Sequence, residues 1–178
     1  NNLIVAGPSD TSIGIEALGT GGPQIHHNTI VAGDAVSTAA HGIITKIALQ
    51  VYSNNILAKG ASAYCVYEGV ALTPAALKLE RNNLWSCPVL LRDDDSTDET
   101  TLAGLVAAGY TADNYRLTPV FLNPTGNDFR FTDSSPCLLS QGGHPGPLYA
   151  EDGWGSSRPV ADGFTSVGAY EHDGTCAP

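Results

Sequence analysis

The sequence predicts an all-β chain folded as a right-handed parallel β-helix, a solenoid in which each repeat of the chain forms one rung of about three short strands. The first observation is a repeat of Asn followed by two apolar or β-branched residues, which begins at Asn2, Asn28, Asn55 and Asn83. The second is a Gly followed by Ile or Val in the second half of each repeat, at Gly14, Gly42 and Gly69. The third is the pattern between these marks, where short β-branched runs alternate with Gly and Asn and show no helical periodicity.

We expect about four to five rungs over residues 1–117 and a closing rung and irregular cap over residues 118–178, all in one domain. Apolar residues at repeated positions predict two core columns. The first column consists of Ile4, Ile30, Leu57 and Trp85, and the second of Ile25, Val51 and Leu79.

The repeated Asn residues are predicted to form a structural ladder rather than a reactive site. Asn tolerates the left-handed turn conformation, and its amide can donate to and accept from the Asn of the next rung. The predicted ladder consists of Asn2, Asn28, Asn55 and Asn83. The doubled pairs Asn54-Asn55 and Asn82-Asn83 indicate a turn that is one residue longer in those rungs.

One short inserted α-helix is predicted near residues 98–108. Ser96 and Glu99 form a capping-box pattern, and Gly109 suits the residue after the helix. The acidic run before it could also hold Ca²⁺, because Asp93, Asp95 and Asp98 offer oxygen ligands at alternate positions. The run lacks the glycine and the distal glutamate of an EF-hand loop, so a solvated loop is the alternative. No other cofactor is predicted.

Charge and hydropathy exclude two classes of partner. The 178-residue chain carries a formal net charge of −10, which repels nucleic acid and anionic lipid surfaces. No apolar run reaches the length of a membrane span.

Five motifs follow one another between Thr118 and Glu171: Thr-Pro-Val-Phe-Leu-Asn-Pro, Asp-Phe-Arg-Phe, Ser-Pro-Cys-Leu, Arg-Pro with Asp-Gly, and Val-Gly-Ala-Tyr-Glu. This succession resembles the C-terminal closing segment of bacterial secreted right-handed parallel β-helix repeat proteins of the pectate lyase-like superfamily, a segment often followed by a variable surface anchor. The resemblance implies the fold and a secreted or cell-surface location. Leu139 and Ser166 stand where that family usually has Asp, so it implies no carboxylate role there.

Four Cys without a CxxC pair, in a chain that resembles secreted proteins, favour disulfides over metal or redox chemistry. Cys137 and Cys176 share the closing segment and form the first expected pair. Cys65 and Cys87, on adjacent rungs, form the second. Sequence alone allows three pairings.

Two functions are carried forward. The first is a secreted or cell-surface module with a structural or interaction role, such as an adhesin. The alternative is the C-terminal part of a pectate lyase-like enzyme that acts on polysaccharide, and whether this chain alone is an enzyme stays open. Candidate catalytic residues are His26, His27 and Asp34, although a His exposed in a turn is the commoner explanation. Candidate sugar-binding residues are Trp154 and Tyr149, since sugar sites favour exposed aromatic rings.

The chain begins at Asn1 inside a repeat, which predicts an open first rung with unpaired strand edges. We therefore expect the upstream part of a longer precursor, or another chain, to stack on this rung. Polysaccharide is the other expected partner.

Overall fold

The structure, a computed structural model, describes residues 2–7, 9–34, 37–94, 97–143, 151–153, 155, 165–172 and 176. Within this part of the chain, no helix is long and apolar enough to cross a membrane.

Three complete coils and part of a fourth stack into a parallel β-solenoid. The first coil contains β1 (Leu3–Ala6), β2 (Thr11–Ala17) and β3 (Gln24–His26). The second contains β4 (Thr29–Ala32), β5 (Ala39–Thr45) and β6 (Leu49–Tyr52), and the third β7 (Asn55–Ala58), β8 (Ser62–Glu68) and β9 (Leu77–Glu80). The fourth begins with β10 (Asn83–Trp85) and β11 (Val89–Arg92) and ends at β12 (Asp98–Glu99), which pairs antiparallel with β11.

Equivalent strands of successive coils form three sheets. Sheet A has the order β1-β4-β7-β10, sheet B β12-β11-β8-β5-β2 and sheet C β3-β6-β9. The predicted parallel β-helical fold is confirmed as a β-solenoid of about three turns rather than four to five, because the chain reverses at β12 instead of starting another full coil. The predicted domain division at residue 117 stays a prediction.

The core column under sheet A differs from the predicted one by one residue in its second half. Ile4 pairs with Ile30, Ile30 with Ile56, and Ile56 with Leu84, and all but Ile4 are fully buried. Leu57 and Trp85, predicted to continue this column, instead lie in register with Val31 and face outward. Because neighbouring residues of a strand point to opposite faces, a one-residue error in the repeat moves a side chain out of the core.

The second predicted core column is confirmed. Ile25, Val51 and Leu79 are in register along sheet C. Val51 and Leu79 are buried, and Ile25 at the first coil packs against the same core.

Only two of the three glycines that marked the repeat occupy equivalent positions of the coil. Gly14 and Gly42 lie inside β2 and β5, where an added Cβ would collide with Ile30 and Ile56 respectively. Gly69 follows the end of β8, so it is not equivalent to them. In the register of β5 and β8, Gly42 corresponds to Cys65, so Cys65 is the equivalent residue of the third coil.

The Asn ladder runs through a different set of residues from the predicted one. Each side-chain amide donates to the carbonyl oxygen of the next Asn, over N···O distances of 2.9 to 3.2 Å. The members are Asn2, Asn28, Asn54, Asn82 and Asn114. Asn55 and Asn83, predicted as ladder members, form a separate pair in which the Asn83 amide donates to the Asn55 carbonyl oxygen over 3.2 Å.

The left-handed turn conformation lies before the Asn residues rather than on them. It falls on the residue before each Asn of the middle of the ladder, with φ of 50°, 54° and 56° at His27, Ser53 and Arg81. The ladder Asn is therefore the residue that leaves the turn and satisfies its buried backbone, since its own N–H also donates to the next ladder Asn.

The inserted helix α1 spans Leu102–Ala107, shorter than predicted. Its cap is Thr101, whose side chain accepts from the Gly104 N–H, and not Ser96, which lies outside the described residues. The predicted start at Asp98 is wrong because Asp98 and Glu99 pair with β11 as a strand. Gly109 is confirmed as the residue after the helix, with φ of 97° and two hydrogen bonds typical of a Schellman motif, Gly109 N–H to Val106 O and Tyr110 N–H to Leu105 O.

The closing segment contains a hairpin of β13 (Phe121–Asn123) and β14 (Asp128–Phe131), joined by a 3₁₀ turn at Pro124–Gly126, and then α2 (Cys137–Gln141). Residues 165–169 are buried along the ladder turn. There Gly168 donates to the Ser53 carbonyl over 2.7 Å and Asn55 donates to the Val167 carbonyl over 2.8 Å. The C-terminal segment thus covers the side of the coils instead of extending the stack.

Two disulfides join Cys65 to Cys87 and Cys137 to Cys176, the two pairs expected from the sequence. The first links β8 to the turn before β11, and the second fastens the chain end to the start of α2. The first disulfide therefore ties the third coil to the fourth, and the second joins two parts of the closing segment.

Candidate ligand-binding face

The outward side of sheet B carries a cluster of aromatic rings. His41 of β5 is in register with Tyr64 of β8, while Tyr67 of β8 is in register with Arg92 of β11. Neighbouring strands of a sheet lie about 4.8 Å apart, so residues in register stack along the solenoid. The four side chains form one continuous surface, which we call the aromatic face.

The rings of the aromatic face contact one another in an ordered way. The His41 and Tyr64 rings are stacked, with centroids 5.4 Å apart and planes inclined by 7°. The Tyr67 ring meets both edge-on, at 5.1 Å from His41 and 5.5 Å from Tyr64. All three residues are half-buried, so each ring is held by its neighbours and still reaches solvent.

Arg92 places a cation at one border of the face. Its guanidinium carbon lies 5.8 Å from the centre of the Tyr64 ring. One guanidinium nitrogen also donates to Asp98 over 2.7 Å. A planar guanidinium with five N–H donors keeps further donors for a ligand when one is used by a carboxylate.

His41 contributes an uncharged ring to the face. Burial lowers the pKa of its imidazole, because a low-dielectric environment disfavours the charged form. Its Nδ1 is buried without a hydrogen-bond partner. At neutral pH this side chain therefore acts as an aromatic surface rather than as a cation.

The rows of the face continue on both sides of the ring cluster. The row of His41 and Tyr64 extends to Ile13 and Val89, and the other row joins Glu16 and Ile44 to Tyr67 and Arg92. The carboxylates of these rows are Glu16 on β2 and Asp98 on β12, which is in register with Arg92, so three strands separate them. The face is therefore mainly aromatic and aliphatic with one cation, and no two carboxylates face each other across its described strands.

His26, predicted as a catalytic candidate, belongs to a polar patch on sheet C. Its ring lies 4.9 Å from that of Tyr52, and its Nε2 is 3.0 Å from the Gln24 side-chain oxygen. Gln24 in turn donates to Gln50 over 2.7 Å. Burial, and secondly the charge of Glu80, raises the pKa of Tyr52. The patch is a ladder of side chains that stabilises neighbouring coils.

The other two catalytic candidates lie at opposite ends of β4. His27 precedes the strand, is buried, and its Nδ1 is 3.3 Å from the Ser166 carbonyl oxygen of the closing segment. Asp34 follows the strand and accepts from the backbone N–H of Ser37 over 3.2 Å. A four-residue strand spans about 13 Å, so the structure does not bring His27 and Asp34 into one site.

The predicted metal ligands do not converge either. Asp98 is ion-paired with Arg92, and the Asp93 backbone N–H closes a turn with the Thr97 carbonyl. Asp95, like the predicted sugar-binding residues Tyr149 and Trp154, lies outside the described residues. Among the residues that the structure describes, no group of three His, Cys, Asp or Glu side chains is placed to hold a metal ion.

A second feature of the surface is a groove of about 430 Å³ between the outer side of sheet A and the β13–β14 hairpin. Val31, Leu57 and Trp85 form its floor, and Phe121 and Phe129 form its far wall. The Trp85 and Phe121 rings are 6.0 Å apart, and the Phe121 and Phe129 rings 5.0 Å apart. Leu57 and Trp85, which the sequence analysis placed in the core, thus form part of the floor of this groove.

The aromatic face was missed in the sequence because Tyr64 and Tyr67 do not follow the Asn repeat. His41 and Tyr64 are 23 positions apart, whereas the ladder residues Asn28 and Asn54 are 26 apart. A signal was present in the spacing, since His41-x-x-Ile44 and Tyr64-x-x-Tyr67 have the same separation. This spacing could not be recognised as a repeat from the sequence alone, because the corner between sheets A and B is shorter in the third coil than in the second.

The stacked coils, the Asn ladder and the closing segment define the class of this protein as a parallel β-solenoid stabilised by two disulfides. No family model, curated protein or solved structure matches the chain. The resemblance to pectate lyase-like secreted proteins therefore stays a prediction.

Proposed function

We propose that this chain is an extracellular interaction module that binds a saccharide chain on the aromatic face of sheet B. The observation that carries the proposal is the set of three contacting rings, His41, Tyr64 and Tyr67, bordered by Arg92. The sequence-based alternative, the C-terminal part of a polysaccharide-active enzyme, is kept as an outcome of the test.

The chemistry of the face suits a sugar. Aromatic side chains present a large apolar surface together with a polar edge, so the C–H side of a pyranose can pack on the ring while its hydroxyls reach water. The Tyr64 and Tyr67 hydroxyls and the Arg92 guanidinium supply hydrogen-bonding groups at the edges of the rings. Because the rows run along the solenoid, an extended polymer can contact several coils in succession.

The composition of the face favours binding over cleavage. Acid–base hydrolysis of a glycoside uses a pair of carboxylates on either side of the scissile bond. The two carboxylates of the outward rows, Glu16 and Asp98, lie on the two edge strands of the sheet with three strands between them, and Asp98 is ion-paired with Arg92.

The disulfides support an extracellular location. Disulfide bonds form and persist in oxidising compartments and are rare in the cytosol. Both Cys pairs of this chain are at bonding distance, with S–S separations of 1.99 and 2.04 Å.

Affinity electrophoresis and calorimetry with a panel of neutral and acidic polysaccharides test the proposal. Each ring contact is worth about 1 kcal/mol, so Tyr64→Ala or Tyr67→Ala should weaken binding about fivefold. Tyr64→Phe keeps the ring and serves as the matched control, and Lys78→Ala on sheet C tests a site outside the face.

Three outcomes would contradict the proposal. One is the absence of binding to any member of the panel. Another is full binding by the Tyr64→Ala/Tyr67→Ala double variant. The third is product release from a polysaccharide, which would favour the enzymatic alternative.

A further inference from the structure

We propose that the groove between sheet A and the β13–β14 hairpin is a second binding site, specific for a small carboxylic acid with an apolar body. It is separate from the aromatic face, since it lies on another sheet and is formed by different strands. The proposal rests on three features of the groove: its size, its walls and its one charged residue.

The size and walls of the groove match a small-molecule site. Sites of this kind are usually concave, occupy about 300 to 1,000 Å³, and combine apolar walls with a few placed polar groups. The groove measures about 430 Å³. Its floor and far wall are the aliphatic and aromatic side chains described above, so the body of its ligand must be apolar.

Lys59 is the charged residue of the groove and favours a ligand of opposite charge. It is exposed at the groove, and its ammonium nitrogen lies 6.0 Å from the centre of the Trp85 ring. It is the only charged side chain among the described residues that line the groove, and no carboxylate of the described residues forms an ion pair with it. In a chain of net charge −10, an unpaired ammonium beside an apolar groove favours an anionic group on the ligand.

The same features disfavour a saccharide in this groove. A sugar hydroxyl that leaves water without a new hydrogen bond costs free energy. The polar side-chain groups of the described lining are the Lys59 ammonium, the Thr125 hydroxyl and the Trp85 indole N–H, and the Thr125 hydroxyl already donates to Asn123 over 3.0 Å. A ligand with one carboxylate and an apolar body loses few hydrogen bonds on entry.

Calorimetric titration of the full chain with 3-phenylpropionate and with its uncharged amide, 3-phenylpropanamide, tests this inference. The two probes share the apolar body and differ in charge. An exposed ion pair is worth about 0.2 to 1 kcal/mol, which favours the acid by up to about fivefold. Lys59→Gln should remove this preference, while Lys78→Gln, an exposed lysine on sheet C, should keep it.

A further variant tests the walls. Val31→Phe places a larger side chain on the floor of the groove and should lower the affinity for both probes. The ratio of the two affinities should stay the same, because Lys59 is unchanged. Circular dichroism and a denaturant midpoint verify that the variant is folded. Equal affinity of the wild-type chain for acid and amide, retention of the preference in Lys59→Gln, or no saturable binding of either probe would overturn the inference. Tyr64→Ala leaves this site intact, so failure of the saccharide proposal is distinguishable from failure here.

Discussion

Replacing Glu68 by Gln should remove most of the pH dependence of stability that this chain shows between weakly acidic and neutral pH. Glu68 is the last residue of β8, and only 1% of its surface is exposed. The Tyr110 hydroxyl donates to Glu68 Oε1 over 3.1 Å, whereas Oε2 is buried without a partner. An ionised carboxylate in this position lacks the hydrogen bonds that it has in water.

Burial raises the pKa of Glu68 to about 7. Hydrogen bonds from the Tyr110 hydroxyl and the Leu72 backbone oppose this effect, and the nearby charges of Asp93 and Asp94 add to it. In the unfolded chain the same group titrates near 4.5. Between these two values the folded state binds more protons than the unfolded state, so the free energy of unfolding falls as pH rises. A difference of about 2.5 units at 1.36 kcal/mol per unit gives a total loss of about 3 kcal/mol, most of it between pH 4.5 and pH 7.

Urea unfolding of the disulfide-intact chain at pH 5 and at pH 8 measures this loss. We expect the free energy of unfolding of Glu68→Gln to change by about 2 to 3 kcal/mol less than that of the wild type over this interval. Glu16→Gln, an exposed carboxylate of sheet B, is the matched control and should follow the wild type. Tyr110→Phe deletes the only side-chain donor to Glu68 and should destabilise the chain more at pH 8 than at pH 5. Parallel pH profiles for Glu68→Gln and the wild type would refute the reasoning.

Three further predictions concern stability and can be measured by denaturant unfolding at constant pH. Ile30→Ala should cost about 2 to 5 kcal/mol, because it leaves a cavity in the middle of a fully buried column; a cost no greater than that of Val31→Ala on the outer side would contradict the register. Asn54→Ala should cost more than about 3 kcal/mol, since it removes hydrogen bonds to two ladder neighbours and to two backbone carbonyls; an unchanged midpoint would show that the ladder is not a stabilising element. Replacing Cys65 and Cys87 together by Ser should cost about 3 kcal/mol for a loop closed over 22 residues, and equal stability of the reduced and oxidised wild type would argue against it.

The repeat was visible in the sequence, but its exact frame in the third and fourth coils was not. Asn54 and Asn55 are adjacent and chemically identical, so either could be the equivalent of Asn28. The choice is made by the turn, where Ser53 takes the left-handed conformation and the following residue reaches the next ladder amide. Local preference could not decide this, because the deciding hydrogen bonds connect residues that are 26 to 32 positions apart.

The candidate site was less predictable than the fold for a related reason. His26 and His27 are neighbours in the sequence, yet they lie in different environments. His26 packs against Tyr52 on sheet C, whereas His27 contacts the Ser166 carbonyl of the closing segment. Tyr64 and His41 are far apart in sequence and meet only through the register of β5 and β8. Core columns appear in the sequence as apolar residues at regular intervals. The residues of an outward cluster are not regularly spaced, because their separation depends on the length of each corner between strands.

The Asn ladder has a consequence for how such a chain can vary over evolution. Successive ladder residues are separated by 26, 26, 28 and 32 positions, and the amide contact is the same each time. The longest interval includes the helix α1, so a whole secondary-structure element has been accommodated within one coil while the alignment of the stack is kept. Insertions and deletions are therefore tolerated at the two corners that lack the ladder. The ladder corner keeps the coils aligned, so new loops, and with them new binding surfaces, can be added in one coil at a time.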